Sequence, residues 1–210
     1  MTESMYYPAD NVSGDIYDII HNKNAVYLFL ADATGKDFSA AIYATFALMR
    51  FKILAEYSHS PSEILSKLNS YLLQMNIEKM YLTAVCIKFD LDKETVEYAL
   101  AGHDMPIFID KYNNELAKDM PYEPILGVID NQTYSDCHIN LNQISKILLF
   151  SDGLSEARNN IEGMFSRERL VKKLQQSTFN LESLAVAINE FEDEKLKDDK
   201  SAIYIEVDHL

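Results

Sequence analysis

The sequence predicts an α+β fold, a layered α-β-β-α sandwich in which two largely antiparallel sheets are flanked by helices. Three observations lead there. Short apolar runs follow one another through short turns, the helical patterns are grouped in the middle and near the end, and no internal repeat is present. Strands that precede helices in blocks, rather than alternating with them, favour segregated layers over a doubly wound parallel sheet. No linker divides the chain, so 1–210 is expected to be one domain, long enough to bury about 70% of its unfolded surface.

Val12 to Ile20 and Ala25 to Asp32 are β-branched and aromatic runs separated by the turn-prone His21-Asn-Lys-Asn24, which reads as a hairpin. After the small loop 33–37, Phe38, Ala41, Ile42, Thr45, Leu48, Met49 and Ile53 recur at helical spacing and predict a helix over 38–57. Ser60-Pro61-Ser62-Glu63 is a capping box with proline at the first helical position, and Ile64, Leu65, Leu68 and Leu72 supply one apolar face of a second helix over 61–75. From Tyr81 the period becomes two. Val85, Ile87 and Phe89 alternate with Cys86 and Lys88, and Asp90-Leu-Asp-Lys93 turns the chain into Thr95 to Ala101. Further strands are expected at about 105–110, 133–140 and 146–151, helices at about 166–177 and 181–194, and a last strand over Ser201 to Val207.

Composition narrows the function. There are 33 acidic and 19 basic residues, a formal net charge of −14, whose field repels phosphate backbones and anionic lipid and argues against nucleic-acid binding. The two cysteines, Cys86 and Cys137, have no partner spacing for zinc or a disulfide framework, and Cys86 sits in an apolar run that reads as core. The amino terminus has no basic region followed by an apolar stretch, and no window reaches about 18 uninterrupted apolar residues, so no membrane insertion and a cytoplasmic location are expected.

The chemistry gathers at strand boundaries. Asp32 ends Leu28-Phe-Leu-Ala-Asp32, Asp152 follows Ile147-Leu-Leu-Phe-Ser151, Asp198 and Asp199 precede the last strand, and Asp15 follows Gly14. Carboxylates brought to one edge of neighbouring strands make a divalent-cation site. Each alone has a plainer reading, because Asp-Gly is a common turn and Asp at a strand end often bonds its own backbone. His103 is a candidate general acid, but a histidine in a turn more often fixes that turn. Glu190, Glu192, Asp193 and Glu194 read as a solvated helix end. Gly35-Lys36 is no P-loop, since position 30 is Leu and Asp37 replaces the hydroxyl residue.

Taken in order, the motifs resemble a known family. Tyr7-Pro-Ala-Asp-Asn-Val-Ser-Gly-Asp-Ile-Tyr-Asp18, Leu30-Ala-Asp-Ala-Thr-Gly-Lys-Asp-Phe-Ser-Ala-Ala41 and Ser62-Glu-Ile-Leu-Ser-Lys-Leu-Asn69 come first. Tyr98-Ala-Leu-Ala-Gly-His-Asp-Met-Pro106, Pro124-Ile-Leu-Gly127, Leu148-Leu-Phe-Ser-Asp-Gly-Leu-Ser-Glu-Ala157, Glu162-Gly-Met-Phe165 with Arg169-Leu170, and Asp198-Asp199-Lys-Ser201 follow. Together they are similar to the metal-dependent PPM protein serine/threonine phosphatases, in the bacterial branch of SpoIIE, RsbU and RsbX.

The resemblance implies two Mn²⁺ or Mg²⁺ ions. Asp32 would bridge them, the Ala33 carbonyl would bind one, Asp152 and Asp198 would complete the other, with Asp199 as the fallback, and Asp15 would hold a metal-bound water. Such a pair acidifies a shared water and clamps a phosphate for in-line attack, which needs no protein nucleophile. It further implies phosphoserine or phosphothreonine of a signalling protein as substrate, a STAS-type anti-sigma-factor antagonist, and so a place in sigma-factor regulation. Three departures stand out: Ser13 where relatives often carry Gly, Gly35-Lys36-Asp37 for Gly-His-Gly, and Phe165-Ser166 for Phe-Gly. Lys36 is expected to assist phosphate binding, Asp37 to cap the first long helix, and Ser166 to matter to the start of a helix.

Tyr7 lies so near the amino terminus that little room is left for the strand that precedes this signature in relatives. The chain is therefore expected to be the catalytic fragment of a longer regulatory protein, with homodimerisation through missing or adjacent segments. The competing expectation is a catalytically silent module of the same fold that binds a signalling partner. A weaker one is an acidic cation-binding structural domain.

Overall fold

Strands β2 (Asp15–Asn22) and β3 (Ala25–Ala33) form the expected hairpin, with Asn22 opposite Ala25 at its closed end and Asp15 opposite Asp32 at its open end. A computed structural model describes residues 1–22, 25–35, 37–58, 60–116, 120–193 and 197–207. The strands run further into 21–24 than the turn-prone residues suggest, and Lys23 and Asn24 lie outside the described residues.

The chain divides into two compact units. The unit of Val12–Met105 and Asp119–Leu141 holds a five-stranded antiparallel sheet, ordered β2, β3, β4 (Leu82–Asp90), β5 (Thr95–Ala101) and β7 (Cys137–Asn140). Tyr27, Phe29, Ala31 and Ala33 of β3, with Cys86 and Ala99, form one buried cluster with helices α1 (Phe38–Tyr57) and α2 (Pro61–Met75). Phe29 and Phe51 stack with centroids 4.4 Å apart. Leu28 and Leu30 point the other way and are also fully buried, so β3 is apolar on both faces until Asp32.

Helix α2 begins as its sequence dictates. The Ser60 hydroxyl accepts from the Glu63 N–H, Pro61 opens the helix, and Ile64, Leu65, Leu68 and Leu72 are buried. Helix α1 has the expected limits, and most of the residues whose spacing marks it are not the ones it buries. Ala40, Tyr43, Ala44, Ala47, Phe51, Leu54 and Ala55 are buried, whereas Phe38, Ile42, Met49 and Ile53 are at least half exposed. The helix is apolar all round, so periodicity does not choose its side; four small alanines on the buried face let α1 lie close to the sheet. By length and composition α1 is also long and apolar enough to cross a membrane, contrary to the reading from uninterrupted apolar runs, yet this face is committed to the core.

The second unit comprises Met1–Asn11, Pro106–Lys118 and Asn142–Leu210. Its four-stranded antiparallel sheet is ordered β1 (Thr2–Tyr7), β11 (Lys200–Glu206), β8 (Ile144–Phe150) and β6 (Ile107–Asp110). Strand β1 corrects the expectation that the amino terminus is too short: six residues pair with β11 from Thr2↔Ile205 to Tyr7↔Lys200. A short turn of helix, α3 (Asp152–Ser155), and a small hairpin of β9 (Arg158–Asn159) and β10 (Gly163–Met164) follow β8. Helices α4 (Arg167–Leu174) and α5 (Leu181–Phe191) close the core over Leu148, Phe150, Ala202 and Tyr204. The chain is thus the mixed α+β fold its sequence predicts, two antiparallel sheets each carrying helices.

Candidate functional site

In the first unit the acidic pair is a consequence of register. Asp15 opens β2 directly across from Asp32 near the end of β3. Directly paired residues share a sheet face with Cβ atoms about 4.5–5.5 Å apart, so both carboxylates lie on the face away from α1 and α2. Asp15 is only 1% exposed. Two like charges so placed repel, and a divalent cation is what reverses the sign of the interaction.

The surrounding loop is shaped to keep the pair together. The Ala33 N–H donates to the Gly14 carbonyl at 3.2 Å, and the Asp15 N–H donates to Ser13 Oγ at 3.0 Å. A side chain at Gly14 has no room: its Cβ would lie 2.6 Å from the Ala33 carbonyl oxygen and 3.1 Å from Asp32 Oδ1. Ser13 thus holds the turn into β2 through its hydroxyl. Thr34 is tied through its N–H and hydroxyl to the Tyr81 carbonyl, at 3.0 and 3.2 Å. Asp37 caps α1 as expected, accepting from the Ser39 and Ala40 N–H groups. Lys36 lies outside the described residues.

His103 takes the plainer of its two readings. Its Nδ1 lies 2.9 Å from Thr83 Oγ1, and Thr83 pairs with Asp32 across β3 and β4. The ring thus anchors the turn after β5 to the strand beside Asp32.

In the second unit hydrogen bonds hold the segment that carries Asp152 beside the segment that carries Asp198. The Ser151 N–H donates to the Ser201 carbonyl at 2.9 Å, and the Ser201 N–H returns to Ser151 Oγ at 3.0 Å. Asp152 is exposed at the start of α3, and Gly153 packs on the Asp198–Asp199 backbone. A Cβ at Gly153 would fall 1.9 Å from the Asp199 carbonyl oxygen, so the Asp-Gly here is a close approach rather than a generic turn.

The two adjacent aspartates have different occupations. Asp199 is buried and accepts the Ala9 N–H at 2.8 Å, while Asp198 lines a cavity of about 200 Å³ with Gly153, Glu156, Arg158 and Glu192. Glu192 is a correction to the solvated helix end: its side chain is 0% exposed and pairs with Lys200 at 2.7 Å. Lys200 Nζ also donates to the Asp198 carbonyl at 3.3 Å. A lysine wedged between two aspartates and an apolar strand was the available signal for this pair. Asp193 accepts the Asn160 N–H, Glu190 is exposed, and Glu194 lies outside the described residues.

Among the described residues no three His, Cys, Asp or Glu side chains gather into a ready-made metal cage. Paired carboxylates nonetheless suit Mg²⁺, which keeps several waters and is held through one or two carboxylates rather than an all-protein shell.

The family model of stage II sporulation protein E (SpoIIE) matches residues 22–208. Phosphoserine phosphatase RsbU of Bacillus subtilis (strain 168) is 28% identical over 169 residues, which cover 80% of this chain and 50% of RsbU. The chain thus spans about half the length of that relative. Among solved structures, the SiaA-PP2C domain of Pseudomonas aeruginosa has a TM-score of 0.84 at 18% identity, over 99% of this chain and 86% of that one. RsbX in complex with magnesium has a TM-score of 0.72 at 16% identity, over 97% of this chain and 92% of that one. The chain belongs to the SpoIIE family and has the PP2C phosphatase fold.

Proposed function

We propose that this chain is a metal-dependent protein serine/threonine phosphatase acting on phosphoserine or phosphothreonine of a signalling protein. The observation that carries the reading is the opposed pair Asp15 and Asp32, held against a Gly14 that tolerates no side chain. The 28% identity to a phosphoserine phosphatase supports it.

In this reading Asp32, the Ala33 carbonyl, Asp152 and Asp198 would hold two Mn²⁺ or Mg²⁺ ions. Bound there, the ions would supply an acidified water and the charge that clamps a phosphate for in-line displacement. Asp15, buried opposite Asp32, would hold that water. Asp198 rather than Asp199 is the ligand in this reading, because each carboxylate accepts a backbone N–H but Asp199 is buried while Asp198 lines a cavity. The substrate is a phosphorylated STAS-type anti-sigma-factor antagonist, in the cytoplasm, and 1–210 is one catalytic domain.

The test is hydrolysis of a small aryl phosphate against Mn²⁺ concentration, with Asp152→Asn beside the unchanged chain. Metal-dependent turnover abolished by the substitution is the expected result. Equal rates would overturn the ligand assignment, and no turnover at any metal concentration would favour the silent partner-binding module.

A further inference from the structure

A cavity of about 610 Å³ in the first unit, away from the acidic pair, is bounded by α1, α2 and residues 131–133. In a chain with 33 acidic and 19 basic residues, its described lining includes no Asp or Glu, although Glu63 pairs with the lining Lys67. Arg50 and Lys67 give its wall positive charge, and hydroxyl and amide groups such as those of Ser70, Gln132 and Thr133 make up most of the rest.

Arg50 decides what such a cavity takes. Its guanidinium carbon lies 5.2 Å from the centre of the Tyr71 ring, within the range of a cation–π contact. Its Nε is enclosed by protein and makes no hydrogen bond, so the terminal edge of the guanidinium is the part that can meet a molecule in the cavity. That edge presents two nitrogens as a planar fork that matches an oxyanion in bidentate fashion. Lys67 is a lesser contributor, since its ammonium is already 2.7 Å from Glu63 Oε1. A phosphate group meets the fork with several oxygens at once and carries more charge than a carboxylate, so it gains most from Arg50, whose charge, unlike that of Lys67, has no carboxylate in ion-pair contact among the described residues.

We propose that this cavity binds a phosphate group, with the Arg50 fork as its anchor and Tyr71 in cation–π contact with it. The phosphate is either free inorganic phosphate or the side chain of a phosphoserine, and the volume admits both. The site is independent of the metal-dependent reading above.

The experiment is a titration of the full chain, without added metal and at constant ionic strength, with inorganic phosphate and separately with O-phosphoserine, followed by amide NMR. Saturable shifts confined to residues 70–74 and 131–133 and to the Arg50 side-chain N–H are expected. Arg50→Gln should weaken binding at least tenfold, and Arg50→Lys, which keeps the charge but loses the fork, should fall between. Tighter binding of O-phosphoserine identifies a phosphoprotein side chain as the natural ligand; equal or tighter binding of inorganic phosphate identifies the free ion. Absence of shifts at these residues in the unsubstituted chain, or the same titration in a folded Arg50→Gln, overturns the proposal.

Discussion

Lys200 and Glu192 form a buried ion pair, Nζ to Oε2 at 2.7 Å, with side chains 6% and 0% exposed, and the same ammonium reaches the Asp198 carbonyl. Removing one partner strands the other charge in the interior. Lys200→Met is expected to cost about 3–5 kcal/mol in urea unfolding, whereas Lys200→Met with Glu192→Met should recover most of that loss, because well-packed apolar residues replace buried pairs at little cost. If the single and double variants are equally unstable, the pair is not the source of the effect.

Ser166 carries φ 70 and ψ 155 at the start of α4, a backbone region essentially reserved for glycine. Its hydroxyl makes no capping bond there and meets the exposed Glu168 side chain, a contact of little worth in water. Ser166→Gly should therefore raise stability by about 1 kcal/mol, read as a shift in the urea midpoint with unchanged slope. No gain would mean that the residues around Phe165 over-determine this conformation at no cost.

Gly153 offers a test of the second acidic pair that leaves every carboxylate in place. A methyl group here collides with the Asp199 carbonyl at 1.9 Å, so Gly153→Ala must push Asp198–Asp199 away from Asp152. Loss of Mn²⁺-dependent phosphatase activity with the fold retained by circular dichroism is expected. An active Gly153→Ala would show that the approach of these backbones is not needed.

The sequence reveals most where local chemistry decides. The Ser60 cap, Pro61 and the leucine face place α2, and Asp37 marks the start of α1. It is silent where the deciding partner is far along the chain. Strand β1, Thr-Glu-Ser-Met-Tyr-Tyr, has little pattern of its own and exists because β11, some two hundred residues away, pairs with it. The buried side of α1 is hidden for another reason: apolar residues surround the helix, and only packing against β3 selects the alanines. At the acidic sites, spacing names Asp15, Asp32 and Asp152, but the hairpin register is what opposes the first two. Burial beside Ala9 is what separates Asp199 from Asp198, since both carboxylates accept a backbone N–H.

Asp90 gives the pH dependence a sign. Burial pushes its carboxyl up, but hydrogen bonds from the Lys93 side chain and backbone, and from Lys88, outweigh this and hold it below its ordinary value. A depressed carboxyl stabilises the fold fully above its unfolded value of about 3.9, and that contribution drains away as pH falls through the folded value. Compared with Asp90→Asn, the unchanged chain should be the more stable at pH 6, with the gap narrowing towards pH 3. A gap independent of pH would remove the carboxyl as its cause.

Asp15 and Asp32 make opposite predictions with and without metal. Two carboxylates opposed across β2 and β3 repel when nothing lies between them, so in chelator Asp15→Asn should leave the chain equally or more stable, by up to about 1 kcal/mol. Adding Mn²⁺ should raise the unfolding temperature of the unchanged chain, because a ligand that binds only the folded state stabilises by mass action. Asp15→Asn should show a smaller rise and Asp32→Asn almost none, since Asp32 would bridge both ions while Asp15 acts through water. The same Mn²⁺-induced rise in all three chains would dissociate this pair from metal binding, whatever their phosphatase rates.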